Sequence, residues 1–114
     1  QTEIGQSEAR LNAARTFLLS ELEDIWSTVT TNQSLTIEQR MRIRLASTHA
    51  IHESKTVANA VYEAAGASAI FVGSPFQRRF RDIHTVAQQI QGRKSHFQTV
   101  GSFLLGHPPD LAMV

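Results

Sequence analysis

The sequence predicts an all-α protein, specifically an antiparallel up-and-down four-helix bundle. Apolar residues recur every three or four positions through most of its 114 residues, which is the spacing of amphipathic helices. Polar, glycine-containing or proline-containing breaks divide this pattern into four stretches, each long enough for a helix. No stretch alternates convincingly between apolar and polar residues, as a half-buried strand would. We therefore expect a single helical-bundle domain over residues 1–114.

The first two helices are the longest elements that the pattern predicts. The first is expected from Ser7 to about Thr28. Thr36 then opens the second with a capping box, in which its hydroxyl accepts the Gln39 backbone N–H while the Gln39 side chain reaches back. The second helix is expected to end near Ala65–Gly66, after about 29 residues or roughly 44 Å. The apolar residues assigned to the first helix are Leu11, Ala14, Leu18, Leu22, Ile25 and Trp26.

The third and fourth predicted helices are shorter. Ser74 is the predicted N-cap of the third, because Pro75 suits the first helical position, and Gly92 is expected to end it. The fourth is expected over roughly Lys94–Leu105. The apolar segment 67–73 before the third helix is interpreted as a turn or a buried connection. The core-facing residues assigned to these two helices are Phe76, Phe80, Ile83, Ala87, Ile90, Phe97, Val100 and Leu104.

Composition excludes several classes of function. The net charge is +1 and 18% of the residues are charged, whereas a protein that binds nucleic acid by neutralising phosphates should be more basic. The absence of cysteine excludes disulfides, thiolate nucleophiles and cysteine-ligated zinc. No apolar run approaches the ~20 residues that span a bilayer, and the N-terminus lacks the apolar region of a signal peptide. We expect a cytoplasmic protein that binds neither nucleic acid nor membrane.

Arginines concentrate in and beside the third predicted helix. Arg78, Arg79, Arg81 and Arg93 are four of the eleven Lys and Arg residues. Three interpretations fit this cluster: a helix that binds a polyanion, a catalytic helix, or the solvated side of a bundle. Because Arg78 and Asp82 are four positions apart, spacing alone favours a surface ion pair worth about 0.2–0.5 kcal/mol.

Histidines are the candidates for a metal site. His49, His52 and Glu53 fall on adjoining turns of the second helix. Carboxylate metal sites in helix bundles need Glu-x-x-His pairs on two helices, and the chain contains no such pair. We therefore expect no metal, and interpret these residues as a polar stripe at a helix interface. His96, near the start of the fourth helix, is expected to be exposed; the alternative is a flavin or phosphate contact at the helix N-terminus.

Several motifs occur in a characteristic order along the chain. They are 44–46 (RLA) with 49–50 (HA), 62–66 (YEAAG), 74–84 (SPFQRRFRDIH), and a closing series of Phe97, Val100-Gly101 and 104–106 (LLG). Together they resemble the C-terminal helical domain of the acyl-CoA dehydrogenase superfamily, especially the branch that holds two-component flavin-dependent monooxygenases. The resemblance covers the chain from about Ser7 to Gly106.

The resemblance implies a cofactor, an assembly and a set of binding residues. In such proteins a flavin, FAD or FMN, lies between a middle β domain and the C-terminal bundle, and the bundles pack together in a tetramer. Ser74, Arg78 and Arg81 are then the expected flavin contacts, since arginine suits a phosphate or a reduced flavin's negative charge. Gly66, with Ala65, lies where the dehydrogenases carry a Gly-Gly pair against the cofactor of a neighbouring subunit, and small residues allow such close approach.

Two positions depart from the family pattern. Gln89 stands where monooxygenases of this branch commonly place a histidine near the flavin's reactive carbon. Gln91 falls close to where many dehydrogenases place the catalytic glutamate, with an uncertainty of one residue in the alignment. A glutamine forms hydrogen bonds but is not a general base at neutral pH. Gln89 is therefore the candidate catalytic residue by position only, and dehydrogenase and monooxygenase chemistry both stay open.

Two hypotheses of different class follow. In the first, the chain is the C-terminal part of a longer flavin-dependent oxidoreductase, and forms one wall of the flavin and substrate site and the oligomer core. Its partners are then further copies of itself, a small-molecule substrate and a flavin reductase. In the second, the chain is a stand-alone helical oligomerisation module without catalysis. The chain carries no complete catalytic set, so this segment alone is not expected to be an enzyme or to bind flavin tightly.

Overall fold

The computed structural model describes residues 1–66 and 75–109, where four α-helices form a bundle and no strand occurs. The helices are α1 (Thr2–Thr30), α2 (Ile37–Ala65), α3 (Pro75–Ala87) and α4 (Ser95–Leu104), with a short 3-10 turn (Ile90–Gly92) between the last two. The four-helix prediction is confirmed. The segment 67–73 and the predicted N-cap Ser74 lie outside the described residues, as do the side chains of Phe76 and Gln91.

Helix α2 is the element on which the other three helices pack. It contains 29 residues, the length that the sequence predicted. At about 1.5 Å per residue such a helix is about 44 Å long, and the molecule measures 51 × 26 × 25 Å. The length of α2 therefore sets the length of the bundle, with α1 along one side and α3 and α4 against other parts of it.

The junction between α1 and α2 is closed by side-chain hydrogen bonds. Thr36 Oγ1 accepts the Gln39 N–H at 3.0 Å, and Gln39 Oε1 accepts the Thr36 N–H at 3.0 Å, so the predicted capping box is present. Gln39 is buried, and its Nε2 also donates to the Asp24 carboxylate at 3.0 Å and to Thr28 Oγ1 at 2.7 Å. One side chain thus caps α2 and fixes the end of α1 against it.

The buried core is small and consists mostly of short side chains. Met41 is its largest apolar member and is 1% exposed. Leu104 is 72% exposed and Ile90 is 39% exposed, so the prediction that these two residues face the core is wrong. The remaining buried apolar residues are Ala14, Ala46, Val57, Ala87 and Val100.

Much of the apolar stripe from which helix α1 was predicted is exposed. The helix begins at Thr2, five residues earlier than expected, and its contact with α2 buries Ser7 and Ala14. Trp26, by contrast, is 71% exposed, so the expectation that this stripe faces the core is wrong for part of it. The exposed residues, which we call the α1 apolar face, are Ile4, Leu11, Leu19, Leu22, Trp26 and Val29.

Candidate functional site

A tight turn joins α3 to α4. The sequence predicted that the third helix continues to about Gly92, but α3 ends at Ala87 and Gln89 is extended, with ψ at 165°. The Gly92 N–H then donates to Gln89 O at 2.9 Å. A Cβ at Gly92 would lie 2.8 Å from the Ala87 carbonyl oxygen, so only glycine fits this close approach. Gln89, the candidate catalytic residue, therefore lies in a turn and not on a helix.

Two histidines hold this turn. His52 Nε2 lies 2.6 Å from Gly92 O, and His96 Nε2 lies 2.6 Å from Ile90 O. A carbonyl oxygen only accepts hydrogen bonds, so both histidines carry a proton on Nε2. His96 is 4% exposed, which means that the expectation of an exposed His96 is wrong. Its burial and its carbonyl partner make it part of the packed interior.

A cationic cavity opens beside the turn. It has a volume of about 380 Å³ and lies between α2 and the start of α4. We call it the basic pocket. It contains three cationic side chains and no acidic one, and none of the three forms a salt bridge with another described residue. Its lining residues are His52, Lys55, Ala87, Gln88, Gly92, Arg93, Lys94 and Ser95.

The geometry of the basic pocket suits a small anion. Lys55 reaches it from α2, while Arg93 and Lys94 come from the turn. The N-terminus of α4 begins at Ser95 and adds the partial positive charge of the helix dipole. Unpaired cations around one cavity lower the energy of an anion placed there. A phosphate group is the anion of this size that Arg and Lys commonly bind.

The sequence indicated only part of this pocket. The alternative of a flavin or phosphate contact at the start of the fourth helix falls beside Arg93 and Lys94, but His96, the residue assigned to it, is buried and does not line the pocket. Lys55 is separated from both by more than thirty positions along the chain, and no spacing rule links residues so far apart. The cluster exists because α2 carries Lys55 next to the turn, which is a tertiary relationship.

The residues assigned by resemblance lie in different places. Gln89 is exposed and follows Gln88, which lines the basic pocket. Arg78 and Arg81 are exposed on α3 and do not line that pocket. Arg78 forms no salt bridge with Asp82, so the predicted ion pair is absent from this part of α3.

Gly66, the remaining assigned residue, ends α2. Its φ is +60°, a conformation that side chains other than that of glycine rarely adopt. No described residue comes within 4 Å of where its Cβ would be. Ser74 lies outside the described residues, which leaves its predicted role as an expectation.

A second cavity lies between α1, α2 and α3. It has a volume of about 340 Å³ and mostly apolar walls. The rings of Tyr62 and Phe80 are 4.2 Å apart, and the His84 ring lies 4.3 Å from Phe80 on the same side of α3. His84 Nε2 is also 2.9 Å from Asn59 Oδ1, which links α3 to α2. The lining residues are Leu11, Ser54, Val57, Ala58, Val61, Tyr62, Arg79 and Phe80.

The residues considered for a metal each have another contact. The Phe17 and His49 rings lie 6.3 Å apart, His52 bonds to Gly92, and Glu53 forms a salt bridge with Arg10 at 3.2 Å. Within residues 1–66 and 75–109 no group of three His, Asp or Glu side chains is placed to hold a metal ion. None of the helices in the same ranges is long and apolar enough to cross a membrane.

The fold defines a helical-bundle domain, and a family comparison makes this specific. Residues 1–93 match the family described as "Acyl-CoA dehydrogenase, C-terminal domain". The chain therefore belongs to the acyl-CoA dehydrogenase C-terminal domain family, as the resemblance implied.

The relatives belong to the monooxygenase branch of the superfamily. The chain is 28% identical over 109 residues to indole-3-acetate monooxygenase of Acinetobacter baumannii, a match that covers 96% of this chain and 28% of that protein. It is 33% identical over 81 residues to the pigment production hydroxylase of Rhodococcus erythropolis, covering 71% of this chain and 21% of that protein. The chain thus spans less than a third of the length of these curated relatives.

Two solved structures share the fold. The HsaA monooxygenase from M. tuberculosis superposes with a TM-score of 0.89 at 24% identity, over 99% of this chain and 29% of that one. The 3-HSA hydroxylase from Rhodococcus sp. RHA1 superposes with a TM-score of 0.91 at 23% identity, over 99% of this chain and 30% of that one. These likenesses confirm the helical bundle of this domain type.

Proposed function

We propose that this chain is the C-terminal bundle of a flavin-dependent monooxygenase and that its α3–α4 turn forms one wall of the flavin site. The observation that carries the proposal is the basic pocket, because both FMN and FAD carry phosphate groups. Lys55, Arg93 and Lys94 supply three cations that form no salt bridge with a described residue, and the start of α4 adds its dipole. The similarity to a named monooxygenase and a named hydroxylase supports the same class of reaction.

The proposal gives each part of the turn a distinct task. Arg93, Lys94 and Lys55 attract and hold phosphate, while the amides of Gln88 and Gln89 donate and accept hydrogen bonds beside it. A bound flavin would supply the electron transfer and oxygen activation of a monooxygenase. Because Gln89 neither takes up nor releases a proton, acid–base catalysis requires a group outside this turn.

Gly66 ends α2, and His52 of the same helix contacts the α3–α4 turn at Gly92. At about 1.5 Å per residue, α2 separates Gly66 from this turn by about 20 Å. We assign Gly66 and the turn to cofactors of two different subunits, as the resemblance implies for Gly66. Arg78 and Arg81, exposed on α3, then face a subunit boundary or solvent instead of the phosphate in the basic pocket.

Self-association through the α1 apolar face is the second part of the proposal. That face carries six exposed apolar residues, and Trp26 is exposed by 71%. Contiguous apolar surface of this kind marks interaction sites in proteins that remain in solution. A second copy of the bundle is the occupant that we propose, in a homodimer or homotetramer. The alternative hypothesis of a stand-alone oligomerisation module depends on this same face.

An anion titration tests the flavin site. Because the bundle supplies only one wall, we expect weak binding of FMN by the 114-residue chain, followed through the amide signals of residues 93–95 by NMR. Arg93→Ala combined with Lys94→Ala should weaken binding at least about fivefold, since charge-assisted contacts to phosphate are lost. Arg42→Ala, an exposed arginine elsewhere on α2, is the matched control and should have no effect. Absence of any shift in the wild-type chain would refute the flavin site.

Sedimentation velocity tests self-association separately. Trp26→Glu places a charge in the α1 apolar face and should shift the protein toward monomer while leaving its helix content unchanged. Ser20→Glu, which adds the same charge at an exposed position of α1 away from the apolar face, is the control. A wild-type protein that stays monomeric at high concentration would exclude both the dimer and the stand-alone oligomerisation hypothesis.

A further inference from the structure

We propose that His52 and His96 are positioning residues that hold the Ile90–Gly92 turn so that the cations of the basic pocket converge on one anion. The inference rests on the proposed function, because it assigns a role to residues around that same pocket. Its basis is a pair of matched contacts. Histidines from two different helices each donate Nε2–H at 2.6 Å to carbonyl oxygens two residues apart, those of Ile90 and Gly92.

The turn has weak hydrogen bonding of its own. Within it the Arg93 N–H reaches Ile90 O only at 3.4 Å, near the limit for a hydrogen bond, and the Gly92 N–H reaches Gln89 O at 2.9 Å. The same Ile90 carbonyl receives the much shorter contact from His96. The histidines therefore supply the shortest polar contacts to the segment that places Arg93 and Lys94.

Burial makes these contacts hard to replace with water. His96 and Gly92 are buried, and the His52 ring lies 5.9 Å from the ring of Phe97. The carbonyl of the buried Gly92 keeps the full cost of its desolvation if its donor is lost, so removing the His52 side chain should shift the backbone of the turn. Removing His96 takes away a buried ring together with the short contact to Ile90 O, and should shift the same backbone.

The position of His52 links the contact to the pocket. His52 and Lys55 are three positions apart on α2, so they lie on the same face of that helix. His52 binds the turn directly to this face, and both residues line the basic pocket together with Arg93 and Lys94. The histidine contact thereby sets the separation between the lysine of α2 and the two cations of the turn.

The test compares substitutions that keep or remove the donor. His52→Gln and His96→Gln retain an N–H near the position of Nε2, whereas His52→Met and His96→Met have similar size without a donor. His84→Met is the matched control, because it removes a comparable contact between α2 and α3, from His84 Nε2 to Asn59 Oδ1, outside the turn. The two readouts are amide hydrogen exchange at Gly92 and Arg93, and NMR titration with inorganic pyrophosphate.

We expect the two methionine variants in the turn to exchange these amides about tenfold faster and to bind pyrophosphate at least about fivefold more weakly. The glutamine variants should restore both readouts to within about threefold of wild type. The control His84→Met should lower the melting temperature without changing either readout. This rescue pattern is what separates a positioning role from general stabilisation.

Other outcomes overturn specific claims. Methionine variants that match wild type in both readouts, or an equal effect of His84→Met, would refute the positioning role while the proposed flavin site stands. A wild-type chain whose turn is protected but which shows no response to pyrophosphate would refute the proposed anion site and the positioning role with it. The titration of the wild-type chain therefore tells the two failures apart.

Discussion

The α1–α2 hairpin and the α3–α4 turn are held together in different ways. In the hairpin, small buried residues such as Ala14 and Ala46 let two long helices pack closely, and most specific polar contacts lie at the junction around Gln39. At the α3–α4 turn, which lies against the middle of α2, a glycine and two histidine donors fix a short stretch of backbone. The difference indicates that the hairpin is a scaffold, whereas the turn is shaped for a particular geometry.

The substitution with the largest expected effect on stability tests whether the α1–α2 hairpin depends on apolar packing. Met41→Ala should destabilise the protein by about 2–5 kcal/mol, since it removes a side chain that is 1% exposed from a small core. The midpoint of urea unfolding, followed by circular dichroism, measures the change. Leu19→Ala, on the exposed α1 apolar face, is the control and should cost far less. Equal losses would mean that α1 does not pack as described, and the contrast between the two regions would disappear.

A pair of glycine substitutions tests the turn. Gly92→Ala places a Cβ 2.8 Å from the Ala87 carbonyl oxygen, a clash with backbone that should cost about 1–3 kcal/mol. Gly101→Ala adds a Cβ in open space inside α4, so it should stabilise the helix by about 0.5–1 kcal/mol. Thermal unfolding of both variants gives the sign of each effect. If Gly92→Ala leaves the stability unchanged, the backbone of the turn does not pack tightly against Ala87.

The smallest effect concerns the junction of the hairpin. Thr36→Ala removes the acceptor for the Gln39 N–H and should cost about 1 kcal/mol, while Thr36→Ser keeps the acceptor and should retain most of the stability. Both variants leave the basic pocket untouched. An NMR titration with pyrophosphate should therefore give wild-type affinity for each, and a loss of affinity in Thr36→Ala would show that the hairpin junction and the basic pocket are coupled.

The sequence was informative where one physical rule acts locally. Helical periodicity predicted four helices, and the Thr36–Gln39 pair and Pro75 marked two of their starts correctly. The same periodicity continued through Ile90 and so placed the end of α3 too late. The features that end α3 there are the close approach of Gly92 to Ala87 and the contacts from His52 and His96, none of which a periodic pattern contains.

The candidate site was harder to predict from the sequence, because tertiary contacts form it as well. Motif resemblance led to the family and to the neighbourhood of Gln89, which does lie beside the basic pocket. It did not reveal the contribution of Lys55, since only folding brings α2 against the turn. His96 was expected on the surface because a histidine near basic residues and a helix start is usually exposed. Its burial follows from the short contact with Ile90 O.

Because the other three helices all pack on α2, that helix also affects the order of folding. The α1–α2 hairpin is formed by sequence neighbours joined by a short link, so little chain entropy opposes its closure. The last two helices find their surface only once α2 is continuous past Lys55, because His52, Asn59 and Tyr62 all lie on its second half. We therefore expect the hairpin to form first and the turn with its basic pocket to be completed last, as the late step of an otherwise rapid assembly.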